Sequence, residues 1–312
     1  MTDIKKILIT GGAGCLGSNL VDHLLLNDHE IIVIDNFATG KMEALPVDKR
    51  LTVIEGSIVN FQLVEDVILK FRPTHVINSD AAYKDPKNWL EDTATNVVGI
   101  INLIKALEKY PPKQFINFQT ALCYGNPNSI PIPVDHPTAP FTSYGISKTA
   151  GEQYLQQSGL SYVSLRLANI CGPRLSIGPI PTFYKRLLSG LDCFCTNATR
   201  DFLDMTDFLD LIDKILYNDL SKGTYNVSTG IGYSISDVFN AVAHFLGKND
   251  AKAPVIPVGD DDVETVVLDP AETEAIFNWK ATVSFEKMIE NQLNWYEKFG
   301  VKEVYSHLEI QG

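Results

Sequence analysis

Tyr144 and Lys148 stand four residues apart in the run Ser143-Tyr144-Gly145-Ile146-Ser147-Lys148. On a helix that spacing puts both side chains on one face. A phenol with an unperturbed pKa of ~10 is no base at neutral pH, but a neighbouring ammonium stabilises the phenolate and lowers that value. The pair can then take or give a proton as a general base or acid. The spacing alone is common, and a surface Tyr beside a solvated Lys is the plain alternative. A hydroxyl lies upstream. The run Gln114–Gln119 reads as a strand ending at Thr120, followed by Ala121-Leu122-Cys123-Tyr124-Gly125. A side chain at the carboxyl end of a strand is well placed to hydrogen-bond a reacting oxygen, although the same Thr can simply cap a turn.

A second constellation opens the chain. Gly11, Gly14 and Gly17 follow the apolar run Ile7–Ile9 and precede an amphipathic stretch. Glycines so placed allow a tight turn, close approach of the backbone to a pyrophosphate, and close packing of helix on strand. The helix start then offers N–H groups and a positive dipole end to phosphate. The next β-type run, Ile31-Ile32-Val33-Ile34, ends in Asp35, 18 residues after Gly17. A carboxylate there accepts from both ribose hydroxyls of NAD and repels the 2′-phosphate of NADP. NAD is therefore the expected cofactor, with Lys41 the one nearby feature that favours NADP. The alternative is a domain of this shape that binds no cofactor.

These groups need elements to hold them. Lys6–Thr10, Glu30–Asp35, Thr52–Glu55, His75–Asn78, Gln114–Gln119 and Tyr162–Leu167 read as strands. Between them lie helical stripes such as Leu16, Leu20 and Leu24, or Val97, Ile100, Ile101, Ile104 and Leu107. The alternation predicts an α/β fold, a Rossmann-type doubly wound parallel sheet. Past Pro173, Pro179 and Pro181 the pattern loosens. Helices are expected near Phe208–Tyr217, Ile235–Leu246 and Phe285–Phe299, and the Pro- and Asp-rich stretch Asn249–Asp262 reads as surface loop. A cofactor domain over 1–168 and a smaller α/β substrate domain over 169–312 are expected, with some exchange of chain and the site in the crevice at the strands' carboxyl ends.

Composition sets the class. Of 312 residues, 45% are hydrophobic and 21% charged, as in an ordinary globular enzyme. The formal net charge of −12 repels phosphate backbones, so nucleic acid is excluded as a partner. No apolar stretch approaches the ~20 residues needed to span a bilayer, and the opening reads as no signal segment, so a cytoplasmic protein with no membrane partner is expected. Five cysteines, an odd number without zinc spacing, imply no metal site and read as small buried hydrophobes. Cys193-Phe194-Cys195 alternates like a strand, with both thiols on one face.

TGGAGCLG, IDNFATGK, the strand end at Thr120, YGISK and RLANICGPR together resemble the extended short-chain dehydrogenase/reductase superfamily, most closely its nucleotide-sugar epimerases and dehydratases of the UDP-glucose/galactose 4-epimerase type. The likeness runs over nearly the whole chain, to Phe277-Asn278-Trp279-Lys280 and a final helix. It implies that Gly11, Gly14, Cys15, Leu16 and Gly17 hold the pyrophosphate of NAD. Asp35 and Asn36 would hold the adenosine ribose, Ser57 and Ile58 the adenine, and Ala81, Ala82 and Lys84 the nicotinamide side. Tyr144 is then the base, Lys148 tunes it and binds the nicotinamide ribose, and Thr120 bridges Tyr144 and a substrate hydroxyl. Asn169 matches a sugar-nucleotide contact, and Lys84 lies close to the substrate as well. Arg200 matches a grip on the diphosphate, for which a planar guanidinium is apt. A structural pair with Asp201 or Asp204 is the alternative for Arg200.

Three departures from the family pattern matter. The dehydratases carry an Asp-Glu pair after the catalytic Thr, where this chain has Ala121 and Leu122. The decarboxylases keep the Glu of that pair, so neither reaction is expected. Where the family has an acid that touches adenine this chain has Ser57, and where an apolar residue is commoner in the cofactor loop it has Asp80. Cys123, next to the catalytic strand end, reads as core. The resemblance thus implies an NAD-dependent isomerase that epimerises a UDP-hexose or derivative at C4 through a transient 4-keto sugar, in surface polysaccharide or natural-product assembly. A keto-reductase using NADPH and a non-catalytic NAD(P)-responsive regulator are the rivals, and a steroid- or flavonol-type dehydrogenase gives no reason for Arg200 and Asn169. Family members dimerise through two helices per subunit, here Thr93–Glu108 and Tyr144–Gln157, which implies a homodimer.

Overall fold

The computed structural model describes residues 4–82, 87–217, 222–259 and 262–301. In chain order the strands are β1 Lys6–Thr10, β2 Glu30–Asp35, β3 Leu51–Glu55, β4 His75–Asn78, β5 Gln114–Thr120, β6 Tyr162–Leu167, β7 Asn169–Cys171, β8 Cys195–Thr196, β9 Thr199–Asp204, β10 Gly223–Val227, β11 Gly232–Ser234, β12 Val255–Ile256 and β13 Thr265–Val266. The helices are α1 Cys15–Leu25, α2 Phe61–Phe71, α3 Trp89–Thr93, α4 Ile100–Leu107, α5 Ser143–Gln157, α6 Pro179–Leu188, α7 Met205–Leu216, α8 Ile235–Phe245, α9 Ala271–Phe277 and α10 Phe285–Phe299.

The chain folds into two compact units and passes between them several times. One comprises 1–123, 140–167 and 211–225, and the other 124–139, 168–210 and 226–312. The sheet of the first unit runs β10-β6-β5-β4-β1-β2-β3. The pairs from β6 to β3 are all parallel, the doubly wound arrangement expected from strands alternating with helices. Strands covered on both faces read as near-continuous apolar runs, and Ile7, Leu8 and Ile9 are wholly buried. Leu8, Ile34, Val64, Ile68, Leu103 and Phe115 pack into one core on one side of the sheet. The second unit carries β11, β9 and β13 side by side, with β7 also paired to β9. Its core gathers Phe183, Phe202, Phe239, Phe285 and Leu293. Among the described residues no helix is long and apolar enough to cross a membrane.

Several boundaries differ from the expected ones. The helix expected over Thr93–Glu108 starts earlier, at Trp89, and is interrupted by a π-turn over Ala94–Gly99. The stretch Asn249–Asp262 contains β12, which pairs with β8, so it is not wholly loop. The strand at the cysteines begins only at Cys195. No disulfide links the five cysteines. Cys123, Cys193 and Cys195 are buried and burial pushes their thiols up, Cys123 to about 12. A thiol so placed stays protonated and inert.

Candidate active site

The site elements of the first unit start at the glycine loop. Gly11 has φ +66, and a Cβ there would sit 2.8 Å from the backbone nitrogen of Asp80. A Cβ on Gly17 would sit 2.3 Å from the carbonyl oxygen of Gly11. Both positions therefore exclude larger residues, and β1 and α1 meet almost backbone to backbone. Gly14 is the N-cap of α1. No side chain caps this helix start, and its first turn, Cys15, Leu16 and Gly17, carries no acid. The N-terminus is left able to receive an anion.

Asp35 ends β2 buried, at 5% exposure. Its Oδ2 accepts from the Ala13 N–H and its Oδ1 from the Phe37 N–H, both at 2.8 Å. A carboxylate has about four lone-pair sites, so acceptor capacity remains for ribose hydroxyls. Asn36 is exposed and turns onto its own loop, its Oδ1 accepting from Ala38 N–H. Ser57 Oγ accepts from the Val59 N–H, and Ile58 is core. These residues fit a dinucleotide: a backbone cradle that a Cβ would fill, an uncapped helix start and a fixed carboxylate.

The proton-transfer groups lie on β5 and α5. Thr142 caps α5, its Oγ1 accepting from the Gly145 N–H at 3.1 Å. Tyr144 is half-buried and Lys148 is buried. Lys148 Nζ donates to the backbone carbonyl of Asp80 at 3.2 Å. Burial pulls the ammonium down to about 8, against the opposing carboxyls of Asp80 and Glu152. Thr120 Oγ1 accepts from the Leu122 N–H at 3.2 Å, the turn-capping contact, while its own hydroxyl proton is not used there.

Gln119, Asn96, Ser143 and Asp92 were not singled out in the sequence. Gln119 Nε2 donates to the Lys148 carbonyl at 2.9 Å, while its Oε1 accepts from the Thr120 N–H at 2.7 Å. Asn96, in the π-turn, holds Ala82 in both directions at 3.2 Å and donates to Ser147 Oγ at 3.0 Å. Ser143 Oγ donates to buried Asp92 at 2.6 Å. Asp80, already noticed as odd, is half-buried as a residue, yet its Oδ2 is enclosed without a partner. Burial pushes its carboxyl up to about 7; a hydrogen bond with the Thr10 side chain opposes this, Asp35 adds to it and Lys148 opposes it. Polar residues inside otherwise apolar stretches were the available signal. Lys84 lies outside the described residues.

The second unit holds Asn169 and Arg200. Asn169 is exposed at the start of β7, and its Nδ2 donates to the Asp201 carbonyl at 2.9 Å. Arg200 pairs with neither Asp201 nor Asp204. Asp201 instead accepts from the Thr229 and Gly230 N–H groups, and Asp204 caps Thr206. The partner of Arg200 is Asp262, at 2.6 Å, and its Nη1 donates to the Thr199 and Glu264 carbonyls. Burial pulls this guanidinium down, and Asp262 opposes that. The Trp279 motif is structural: Trp279 Nε1 donates to the Asp207 carbonyl, and the Asp207 carboxylate accepts from Thr282 and Val283.

The sequence pattern of the NAD dependent epimerase/dehydratase family matches residues 7–228. The chain belongs to this family. Among solved structures, this epimerase-family chain is similar to the Bordetella bronchiseptica enzyme WbmG in complex with NAD, at 57% identity, a TM-score of 0.93 and 99% coverage of both chains. It is also similar to the UDP-glucose 4-epimerase of Thermotoga maritima with UDP-glucose, at 28% identity and a TM-score of 0.86, covering 94% of this chain and 99% of that one. Among curated relatives, the UDP-glucose 4-epimerase of Halalkalibacterium halodurans is 28% identical over 328 residues, covering 94% of this chain and 96% of the relative. The family member is an NAD-dependent isomerase of the extended short-chain dehydrogenase type, with a Rossmann-type sheet.

Proposed function

We propose that the enzyme epimerises a UDP-hexose or a modified relative at C4. The carrying observation is Tyr144 with Lys148 on one helix, and Ala121 and Leu122 after Thr120, neither of which moves a proton. Water loss needs a second acid–base group, whereas oxidation and return at one carbon needs only one. Bound NAD supplies a hydride acceptor that later gives the hydride back.

The chain's own residues do the rest. The Tyr144 phenolate takes the 4-hydroxyl proton, Lys148 stabilises that phenolate by charge, and Thr120 hydrogen-bonds the reacting oxygen. The proton returns from Tyr144 after the keto sugar has presented its other face. Arg200 binds the diphosphate and Asn169 the sugar nucleotide. Ala81 and Ala82 would line the nicotinamide side of the bound cofactor, the role the family pattern also gives to Lys84. Asp35, fixed by two N–H donors, favours NAD over NADP and so disfavours the NADPH-consuming reductase.

The solved WbmG complex with NAD and UDP, 58% identical to this chain, supports a uridine nucleotide. Apolar Val98, Ile146 and Tyr154 are exposed on the helices assigned to a homodimer, which light scattering tests. The reaction and its place of action, the cytoplasm, follow the same reading. Incubating purified protein with UDP-glucose, UDP-galactose and their N-acetylated forms, with no added cofactor, tests it. Interconversion of one 4-epimer pair is expected. Activity on a keto sugar alone, and only with added NADPH, contradicts it.

A further inference from the structure

An ion pair joins the helix of the proton-transfer groups to the sheet of the first unit. Glu152 lies on α5 and Arg166 on β6, at 1% and 7% exposure. Arg166 Nη2 donates to Glu152 Oε2 at 2.8 Å, and Ser164 Oγ donates to Glu152 Oε1 at 2.6 Å. Both oxygens of one carboxylate are thus held by residues two apart on β6, a spacing that puts them on one face of the strand.

Ser164 continues a polar line across the sheet. Thr10, Asn78, Asn117 and Ser164 occupy matching register positions on β1, β4, β5 and β6, and each is at most 1% exposed. Thr10 Oγ1 donates to Asn78 Oδ1 at 2.7 Å, Asn78 Nδ2 to Asn117 Oδ1 at 2.9 Å, and Asn117 Nδ2 to Ser164 Oγ at 3.2 Å. Every donor points toward Glu152. A carboxylate paired with arginine only accepts, which sets this order.

Stability alone does not call for such a pair, because well-packed apolar residues serve as well as a buried ion pair. What charged, hydrogen-bonded partners add is a fixed geometry. The helix needs one. Among the buried residues of α5 only Leu155 is a large apolar side chain; the others are glycines or polar residues. Apolar packing therefore does little to fix its rotation or its height on the sheet. Tyr144, Lys148 and Glu152 follow one another at intervals of four, on one face of the helix. In an α-helix the Glu152 N–H bonds the Lys148 carbonyl, the same carbonyl that accepts from Gln119 Nε2.

We infer that Glu152, clamped by Arg166 and Ser164, is a positioning residue for Lys148: it fixes the seat of α5 on the sheet and so where the buried ammonium stands. The inference rests on the reading of Tyr144 and Lys148 as the acid–base pair. The surroundings agree. Cys123, in the turn after Thr120, lies in the fields of both Glu152 and Arg166, and Glu152 acts on Lys148. The clamp thus stands close to both the strand end and the helix turn that the reaction uses.

The test is Glu152→Gln/Arg166→Met, which fills both sites and leaves no buried charge unpaired. Turnover is measured at saturating NAD with the 4-epimer pair that the enzyme interconverts. The expected result is a kcat lower by ~10- to 100-fold, the scale of a small misplacement of a catalytic group. KM, retained NAD and the midpoint of thermal unfolding should match the parent. Ser164→Ala cuts one arm of the clamp and spares the ion pair. It should lower kcat by about fivefold, the worth of one hydrogen bond, and decides the matter if the double variant does not fold. Combined with Lys148→Met, either change should cost nothing further in kcat, since the residue it positions is gone. Parental kcat in the clamp variants, or losses that multiply with that of Lys148→Met, would overturn the inference. Parental turnover in Lys148→Met itself would instead remove the acid–base reading.

Discussion

The side-chain amide of Gln119 joins the two halves of the proton-transfer apparatus: its Nε2 donates to the Lys148 carbonyl and its Oε1 accepts from the Thr120 N–H. One buried side chain thereby fixes the strand end that carries Thr120 and the helix turn that carries Lys148. Gln119→Ala should leave the protein folded but lower kcat with little change in KM. Its stability cost should be ~1–3 kcal/mol, the usual penalty for stranding buried polar groups. Denaturant unfolding and steady-state kinetics check both.

Tyr144→Phe removes the only hydroxyl assigned to take the substrate proton. General-base catalysis contributes ~10²–10⁴-fold, so kcat should fall by at least the lower figure. The dinucleotide released on denaturation should match that of the parent, because nothing in the glycine loop changes.

Gly17→Ala puts a carbon 2.3 Å from the Gly11 carbonyl and 2.5 Å from Gly12 Cα, both backbone atoms that cannot swing aside. Overpacking of this kind costs ~1–3 kcal/mol. Thermal unfolding should show the loss, and the purified variant should carry less NAD.

In this structure Asp262 occupies Arg200. Asp262→Asn should free the guanidinium and tighten UDP binding, whereas Arg200→Ala should weaken it by ~10- to 100-fold, the scale of a charge-assisted hydrogen bond. Arg200→Lys should restore little, since an ammonium lacks the planar fork. Calorimetric titration with UDP reads all three.

The raised carboxyl pKa of Asp80 has a sign in stability. Its native pKa, about 7, lies above the usual carboxyl value of 3.8. The resulting stabilisation is complete below the unfolded pKa and is lost as pH climbs to about 7. The midpoint temperature of the parent should therefore fall more steeply from pH 4 to 8 than that of Asp80→Asn.

Local signals carried much of this architecture. The β-branched runs and the glycine spacing mark β1, α1 and β2 because sheet and helix periods are written in consecutive residues. Tyr144 and Lys148 are visible for the same reason. What stayed hidden depends on partners far along the chain. Asn96 meets Ala82, Asp207 meets Thr282, and Arg200 chose Asp262 over the nearer Asp201 because Asp201 is consumed by the turn at Thr229–Gly230. Asn78 and Asn117 are polar residues within apolar strands, and the register that aligns them with Thr10 and Ser164 appears only in the folded sheet. The π-turn at Ala94–Gly99 inserts a residue into the helix, and the buried face runs through Asn96, Gly99, Leu103 and Ala106 rather than Val97, Ile101 and Ile104, which local periodicity does not reveal.

The central claim is that hydride leaves C4 and returns to C4 without entering solvent. The direct measurement is epimerisation in D2O of the UDP-sugar that the enzyme interconverts, read by mass and proton spectra of the product. Product with hydrogen still at C4 is the predicted result, and deuterium at C4 would contradict the account.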